Sequence, residues 1–160
     1  MREHAWTTLL VIAAVGSGLS GGLFFIFSNT IMRSFDALPA AAAVAAMNSI
    51  NRVILNPLFF LAFFGTALLC VGLLFGQMSR PAGTGRALVV AGALSYLVGS
   101  IGVTLAFNVP LNNKLQAVLP AAVDMEAQWR AYRGPWTQWN HVRAVACLSS
   151  AAMFALAVSC

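Results

Sequence analysis

The chain has 160 residues, of which 60% are hydrophobic and only 8% are charged. Soluble domains carry roughly a quarter charged residues, and nine basic and four acidic side chains are too few to cover a soluble surface of this size. A chain with so much apolar surface would not stay disordered in water either. The composition therefore predicts an integral membrane protein.

Uncharged stretches longer than the roughly 20 residues that cross a bilayer occur three times along the chain. They predict membrane-spanning helices over residues 5–32, 57–77 and 87–107. The first stretch begins like a secretory signal but continues well beyond the length of one. We therefore expect this segment to be retained as a span.

Two prolines mark boundaries of these predicted helices. Asn56-Pro57 is typical of a helix N-terminus, where asparagine caps the helix and proline occupies its first turn. Pro110 disfavours helical geometry at the residue before it. We therefore expect the third span to stop near Asn108.

A fourth span is predicted over residues 136–160, after the Gly134-Pro135 start signal. The residues after Arg143 alone are too few to cross the hydrocarbon core, so the helix must begin earlier. Arg143 then lies about two turns inside the helix. An arginine at that depth should face the protein interior or a wet cavity, and not lipid.

We therefore predict an all-α, integral membrane four-helix bundle that forms a single domain over residues 1–160. Between the first and second spans, residues 39–55 have an amphipathic pattern, which predicts an additional helix at the membrane interface or as a lid over the bundle. A long, partly helical loop should join the third and fourth spans. The small residues Ser95 and Gly99 indicate a close contact between helices.

Polar and aromatic side chains converge on one end of the predicted bundle. In the fourth span they share a helix face at i, i+3, i+4 and i+7: Trp136, Trp139, Asn140 and Arg143, with His141 beside them. Near the same end lie Asn51 and Arg52, before the second span, and Asn108 and Asn112, at the end of the third. This convergence predicts a functional site at one mouth of the bundle. Interfacial tryptophans, helix-capping asparagines and lipid-binding arginines are the structural alternative.

No recognised motif for metal or nucleotide chemistry is evident. His4 and His141 lie at opposite ends of the predicted bundle, and the three cysteines lack C-x-x-C spacing, which argues against a protein-only zinc site. A haem or a copper ion held by a single histidine stays open. The net charge of +5 is modest and the basic residues are scattered, so we expect membrane lipid as a partner and no nucleic acid.

Four strings carry a resemblance that covers nearly the whole chain: Gly22-Leu-Phe-Phe-Ile-Phe-Ser28-Asn29, Met47-Asn-Ser-Ile-Asn51 followed by Asn56-Pro57, Phe107-Asn108-Val-Pro110-Leu-Asn112, and Trp136-Thr-Gln-Trp139-Asn140-His141-Val-Arg143. The chain resembles a small four-helix membrane family of mostly uncharacterised proteins that includes the fungal anthrone oxygenases. The resemblance implies oxidation of an apolar aromatic, anthrone- or hydroquinone-like substrate by molecular oxygen. The cofactor stays open between none and a haem or copper ion held by a single histidine. We expect a multi-pass protein in the cell membrane of a bacterium.

Oxidation of an anthrone needs a base, donors for a developing oxyanion and an apolar slot for flat rings. Histidine titrates near neutrality, so His141 is the candidate base. We expect Asn108, Asn112 and Asn140 to donate to the oxyanion, Arg143 and Arg52 to stabilise negative charge, and Trp136 and Trp139, with Asn51, to bind the substrate.

Two other classes of function stay open. One is a metal- or haem-assisted membrane oxidoreductase with His141 as the single protein ligand. The other is a non-enzymatic protein that binds a small molecule or lipid, or that serves as a subunit of a membrane complex. Assembly into a homo-oligomer is also open.

Overall fold

The computed structural model describes residues 2–79, 82–118 and 124–160. The described chain is helical and contains no strand, which confirms the all-α prediction. Its helices are α1 (residues 2–35), α2 (Ala40–Val53), α3 (Pro57–Gly76), α4 (Thr84–Gln116) and α5 (Met125–Ala157). A 3₁₀ turn, Gln77–Ser79, follows α3.

Two of the helices contain π-helical segments. α1 is α-helical over Arg2–Ile26, π-helical over Phe27–Ile31 and α-helical again over Met32–Phe35. α4 is α-helical over Thr84–Tyr96 and Val109–Gln116, with the π-helical segments Leu97–Gly102 and Thr104–Asn108 between them. Because π-helical turns are frequent at functional sites, these segments are candidate positions for a functional site.

Within the described residues, three helices are long and apolar enough to cross a membrane: His4–Phe35, Pro57–Gly76 and Thr84–Gln116. The chain is therefore a membrane protein. α5 has the length, with 33 residues, but it carries Asn140, His141 and Arg143 within its otherwise apolar half. That α5 is a fourth span stays a prediction.

α5 is the helix against which the others pack. It makes extensive contacts with α1 and α4, and α3 in turn packs against α1 and α4. The buried residues of α5 recur at helical spacing and include Ala144, Cys147, Ser150 and Phe154. A polar group on this stripe of α5 is consequently enclosed by the protein.

α2 confirms the amphipathic helix predicted between the first two spans. Its buried face, Ala43, Val44 and Met47, joins a cluster that includes Leu115 of α4 and Trp129 of α5. Asn48 Nδ2 also donates to Leu115 O at 3.5 Å. α2 therefore covers the end of the bundle where α4 ends and α5 begins.

The predicted end of the third helix is wrong. α4 does not stop before Pro110 but continues to Gln116. A proline inside an α-helix removes a hydrogen bond and its ring clashes with an earlier carbonyl. Here the π-helical segment Thr104–Asn108 ends two residues before Pro110, and its wider hydrogen-bond register accommodates the ring.

The predicted start of the fourth helix is also wrong. α5 begins at Met125, and Asp124 caps it by accepting a backbone N–H at 2.9 Å. Pro135 then lies inside the helix, where a proline costs about 3 kcal/mol. The burial of Trp129 and Tyr132, which precede it, offsets that cost, since fully burying one large apolar side chain is worth about 1.5–3 kcal/mol.

A close contact joins α4 to α5 at the predicted pair of small residues. A Cβ atom added to Gly99 would lie 2.5 Å from Ala146 Cβ. Ser95 Oγ, one turn earlier, donates to Ala146 O at 3.0 Å. The two helices therefore approach so closely that Gly99 leaves no space for a side chain.

We predict that Gly99→Ala lowers the free energy of unfolding by about 1–3 kcal/mol, because the added methyl group forces the two helices apart. Thermal unfolding of the purified protein in detergent, followed by circular dichroism, would measure the change. Gly22→Ala is the matched control, since a Cβ at Gly22 has no neighbour within 4 Å. Equal unfolding midpoints for the two variants would contradict this packing.

Candidate functional site

A pocket of about 230 Å³ opens at the end of the bundle that α2 covers, and all five helices contribute to its lining. Its apolar wall consists mainly of aromatic and aliphatic side chains, including Phe24, Phe27, Met47, Ile50, Phe59 and Trp136. Its polar groups include Asn51, Arg52, Thr104, Asn112, Asn140 and Arg143. We call it the arginine pocket.

Arg143 lies deep in this pocket, with only 6% of its surface exposed. Its guanidinium carbon is 4.1 Å from the centre of the Phe24 ring and 5.4 Å from that of Trp136. Nη1 donates to Thr104 Oγ1 at 3.2 Å, and Nη2 donates to Asn140 Oδ1. Cation–π contacts and neutral oxygens thus hold a buried positive charge, and no described carboxylate forms an ion pair with it.

Asn140 fixes the position of this guanidinium. The Asn140 side chain is fully buried, and its Nδ2 donates to Phe24 O at 2.6 Å and to Ser28 Oγ at 2.5 Å. Because both amide hydrogens are used on α1, the amide oxygen is left to accept from Arg143. The hydrogen-bond network therefore joins α1, α4 and α5 around one cation.

Three residues that line the pocket carry buried N–H groups without an acceptor among the described residues. They are Arg143 through Nε, Asn51 through Nδ2 and Trp136 through Nε1. Buried donors in folded proteins are nearly always paired. These three N–H groups therefore have no partner within the described protein and could donate to oxygen atoms of a ligand or of water.

Asn112 and Asn108 have different surroundings at the end of α4. Asn112 lines the pocket and its Oδ1 accepts from the Tyr132 hydroxyl at 3.0 Å. Burial raises the pKa of Tyr132 well above its usual value, so this phenol stays protonated and keeps donating. Asn108 is buried outside the pocket lining, and its Nδ2 donates to Trp136 O at 3.2 Å, which supports the tryptophan from behind.

Six of the nine residues predicted for the site line the arginine pocket together: Asn51, Arg52, Asn112, Trp136, Asn140 and Arg143. The structure does not bring the other three there. His141 is exposed, and Trp139 stacks on Phe107 with ring centres 3.6 Å apart. Trp136 and Trp139 therefore do not face each other across a substrate slot, and Asn108 supports the pocket wall instead of lining it.

Sequence reasoning missed several residues that complete the site. Phe24 provides the ring face on which Arg143 lies, while Thr104 and Ser28 provide oxygens to the network. A signal was present, because Ser28 and Thr104 are polar positions within apolar helices. Other serines and threonines share that property, so only the packing distinguishes these two.

Among the described residues, no group of three or more His, Cys, Asp or Glu side chains could hold a metal ion. His141 is exposed on α5 and does not line the arginine pocket. A haem or copper ion bound through His141 would therefore lie on the outer face of α5 and not among the pocket residues.

The fold and the pocket define a helical membrane protein with a buried arginine side chain in a largely apolar pocket. A family model described as anthrone oxygenase matches residues 59–153, which is more than half of the chain. The chain belongs to the anthrone oxygenase family, as the resemblance predicted. No curated protein and no solved structure matches it significantly.

We predict that Asn140→Ala lowers the free energy of unfolding by about 3 kcal/mol, because it leaves a buried guanidinium, a hydroxyl and a carbonyl without their partner. Chemical denaturation in detergent would measure the loss. Gln138→Ala is the matched control, since Gln138 is an exposed amide on the same helix and its removal should change stability little. A loss of similar size in both variants would contradict the role given to Asn140.

Proposed function

We propose that the arginine pocket binds a flat, apolar aromatic ketone or phenol and catalyses its oxidation by molecular oxygen, as an anthrone-like substrate requires. Membership of the anthrone oxygenase family supports the reaction class. The single observation that carries the proposal is the buried guanidinium of Arg143, which lies among aromatic rings without a carboxylate partner. Such a site favours a ligand that develops negative charge on oxygen.

In the proposed reaction, an anthrone loses a proton from the ring carbon opposite its carbonyl, and the negative charge is delocalised onto the carbonyl oxygen. The electron-rich carbon then reacts with molecular oxygen and takes up a proton to form a hydroperoxide. Loss of water from the hydroperoxide produces the second carbonyl. One anthrone and one oxygen molecule thus become one anthraquinone and one water, so no external reductant is needed.

Arg143 would act on the first step, where the carbonyl oxygen becomes an oxyanion. In a pocket with little water, a fixed positive charge stabilises that oxyanion more strongly than it does in bulk solvent. The unpartnered donors of Asn51 and Trp136 would add hydrogen bonds to the same ligand. Because Asn140 and the two rings already hold the guanidinium, little reorganisation would accompany charge development.

The described lining of the pocket contains no side chain that would serve as the base for the first step. The residues that line it in the described chain include no histidine, aspartate or glutamate. We propose that hydroxide at the open mouth of the pocket takes the proton, while Arg143 makes the substrate more acidic. A base role for His141, which is exposed on α5, stays a prediction from the sequence.

The membrane is also part of the proposed function. Anthrone-like substrates are apolar and accumulate in lipid, and the pocket belongs to a chain with three candidate spans. We propose that the protein works in the cell membrane of a bacterium and takes its substrate from the lipid. Oxygen is likewise apolar and would reach the pocket by the same route.

We predict that Arg143→Gln lowers kcat/KM for oxidation of a soluble anthrone by about 10²–10³-fold, the usual cost of losing one oxyanion-stabilising group. Arg143→Lys should lose less activity, because it keeps the charge but not the planar stacking. Oxygen consumption by the purified protein, corrected for spontaneous oxidation, would measure both variants. Arg143→Gln with parental activity would refute the proposal. His141→Ala should retain the parental activity, and a large loss in that variant would contradict a solvent base.

We predict that the enzyme-dependent rate rises continuously with pH until the substrate itself ionises, by about tenfold per pH unit if hydroxide is the base. With a histidine as base, the rate would instead level off where histidine titrates, near neutrality. Initial rates between pH 5 and about pH 9, with the uncatalysed rate subtracted at each pH, would distinguish the two cases. A plateau that disappears in His141→Ala would assign the base to His141.

A binding protein without turnover is the second candidate function. The lack of a titratable base among the described lining residues favours it, since unpartnered donors and an apolar wall suffice for binding alone. A quinone or anthrone that binds to the parent protein, and only weakly to Arg143→Gln, with no oxygen consumption would support this candidate.

A further inference from the structure

We propose that the substrate of the arginine pocket carries an acidic substituent, and that Arg52 at the mouth binds this acid while Arg143 faces the reacting oxygen. This inference rests on the proposed function, because it names the substrate class of the same pocket. Two observations carry it: the residues that form the mouth, and the way acidic side chains are distributed at this end of the bundle.

The exposed residues of the lining show where the pocket opens. Arg52 and Leu55, at the corner between α2 and α3, are exposed. Val109, Asn113 and Gln116 also line the pocket and are exposed along one face of α4, at i, i+4 and i+7. The mouth is thus a mixed apolar and polar rim in which Arg52 supplies the positive charge.

The acidic residues at this end of the bundle are already engaged elsewhere. Asp36 forms an ion pair with Arg133, and Glu126 lies 3.6 Å from Arg130. Asp124 caps α5 through a backbone N–H. In the described chain Arg52 has no such partner, and no acidic side chain lines the pocket.

The arginine pocket therefore contains two cations and no anion, one buried at its floor and one exposed at its rim. A ligand that matches both must have an oxygen that becomes negative at the buried end and a second anionic group at the other end. A carboxylate fits the rim, because guanidinium binds carboxylate through two parallel hydrogen bonds. The amides of Asn113 and Gln116 can donate to the same group.

The ligand class can be tested with two product-like probes of nearly equal shape, anthraquinone-2-carboxylate and anthraquinone-2-carboxamide. Their affinities for the purified full-length protein in a neutral detergent can be measured by quenching of tryptophan fluorescence, since Trp136 lines the pocket. We expect the carboxylate to bind about fivefold more tightly, which is near the upper end for a solvent-exposed ion pair. Arg52→Gln should abolish this preference and leave carboxamide binding unchanged.

Arg130→Gln is the matched control, because Arg130 is an exposed arginine at the same end that does not line the pocket. It should keep the preference for the carboxylate. A preference lost equally in Arg130→Gln and Arg52→Gln would reflect general surface charge and would overturn the inference. So would equal binding of the two probes to the parent protein.

An anionic lipid headgroup is another possible source of the acid at Arg52. If phosphatidylglycerol vesicles, but not phosphatidylcholine vesicles, bind through Arg52 while the two probes bind equally, the inference about the substrate is wrong. Failure of the proposed function is distinguishable from all these outcomes. In that case neither probe would bind to the parent protein, or Arg143→Gln would bind both as tightly as the parent does.

Discussion

A buried guanidinium without a carboxylate to neutralise it is the constraint on which this structure depends. Removing a charge from water costs several kcal/mol even after the protein relaxes around it. Here the cost is offset by two aromatic faces, an amide oxygen and a hydroxyl, which come from Phe24, Trp136, Asn140 and Thr104. Since these groups belong to three helices, α1, α4 and α5 must pack together to hold Arg143 in this way.

The same constraint accounts for polar groups that would otherwise be costly inside apolar helices. Asn140 is oriented by Phe24 O and Ser28 Oγ on α1, and Asn108 holds the backbone of Trp136 in place. Ser28 and Asn108 both lie in π-helical segments. A pocket supported in this way holds its charge in a fixed position, as the oxidation that we propose would require.

Much of the site could be predicted because helical geometry is regular. Spacing of i, i+4 and i+7 placed Trp136, Asn140 and Arg143 on one face, and these three side chains do line one pocket. The same reasoning wrongly added His141 to the pocket. Adjacent residues on a helix differ in direction by about 100°, so His141 does not share the face of Asn140. Trp139, at the edge of that face, stacks on Phe107 instead. A shared helix face therefore identifies candidate site residues, and the packing of the neighbouring helix decides which of them line the pocket.

The sequence by itself determined the class of protein, its all-α fold, the amphipathic helix between the first two spans and the burial of Arg143 inside the protein, because hydrocarbon penalises a charge that faces it. Only the tertiary structure decided where the third and fourth helices end and begin. A proline in the sequence favours a helix boundary, but this local tendency was outweighed twice. The helix continues through Pro110 because a π-helical segment comes before it, and through Pro135 because the aromatic side chains before it are buried. The ring of Phe24 beneath Arg143 was likewise beyond sequence reasoning, because residues so far apart in the chain meet only when the helices pack.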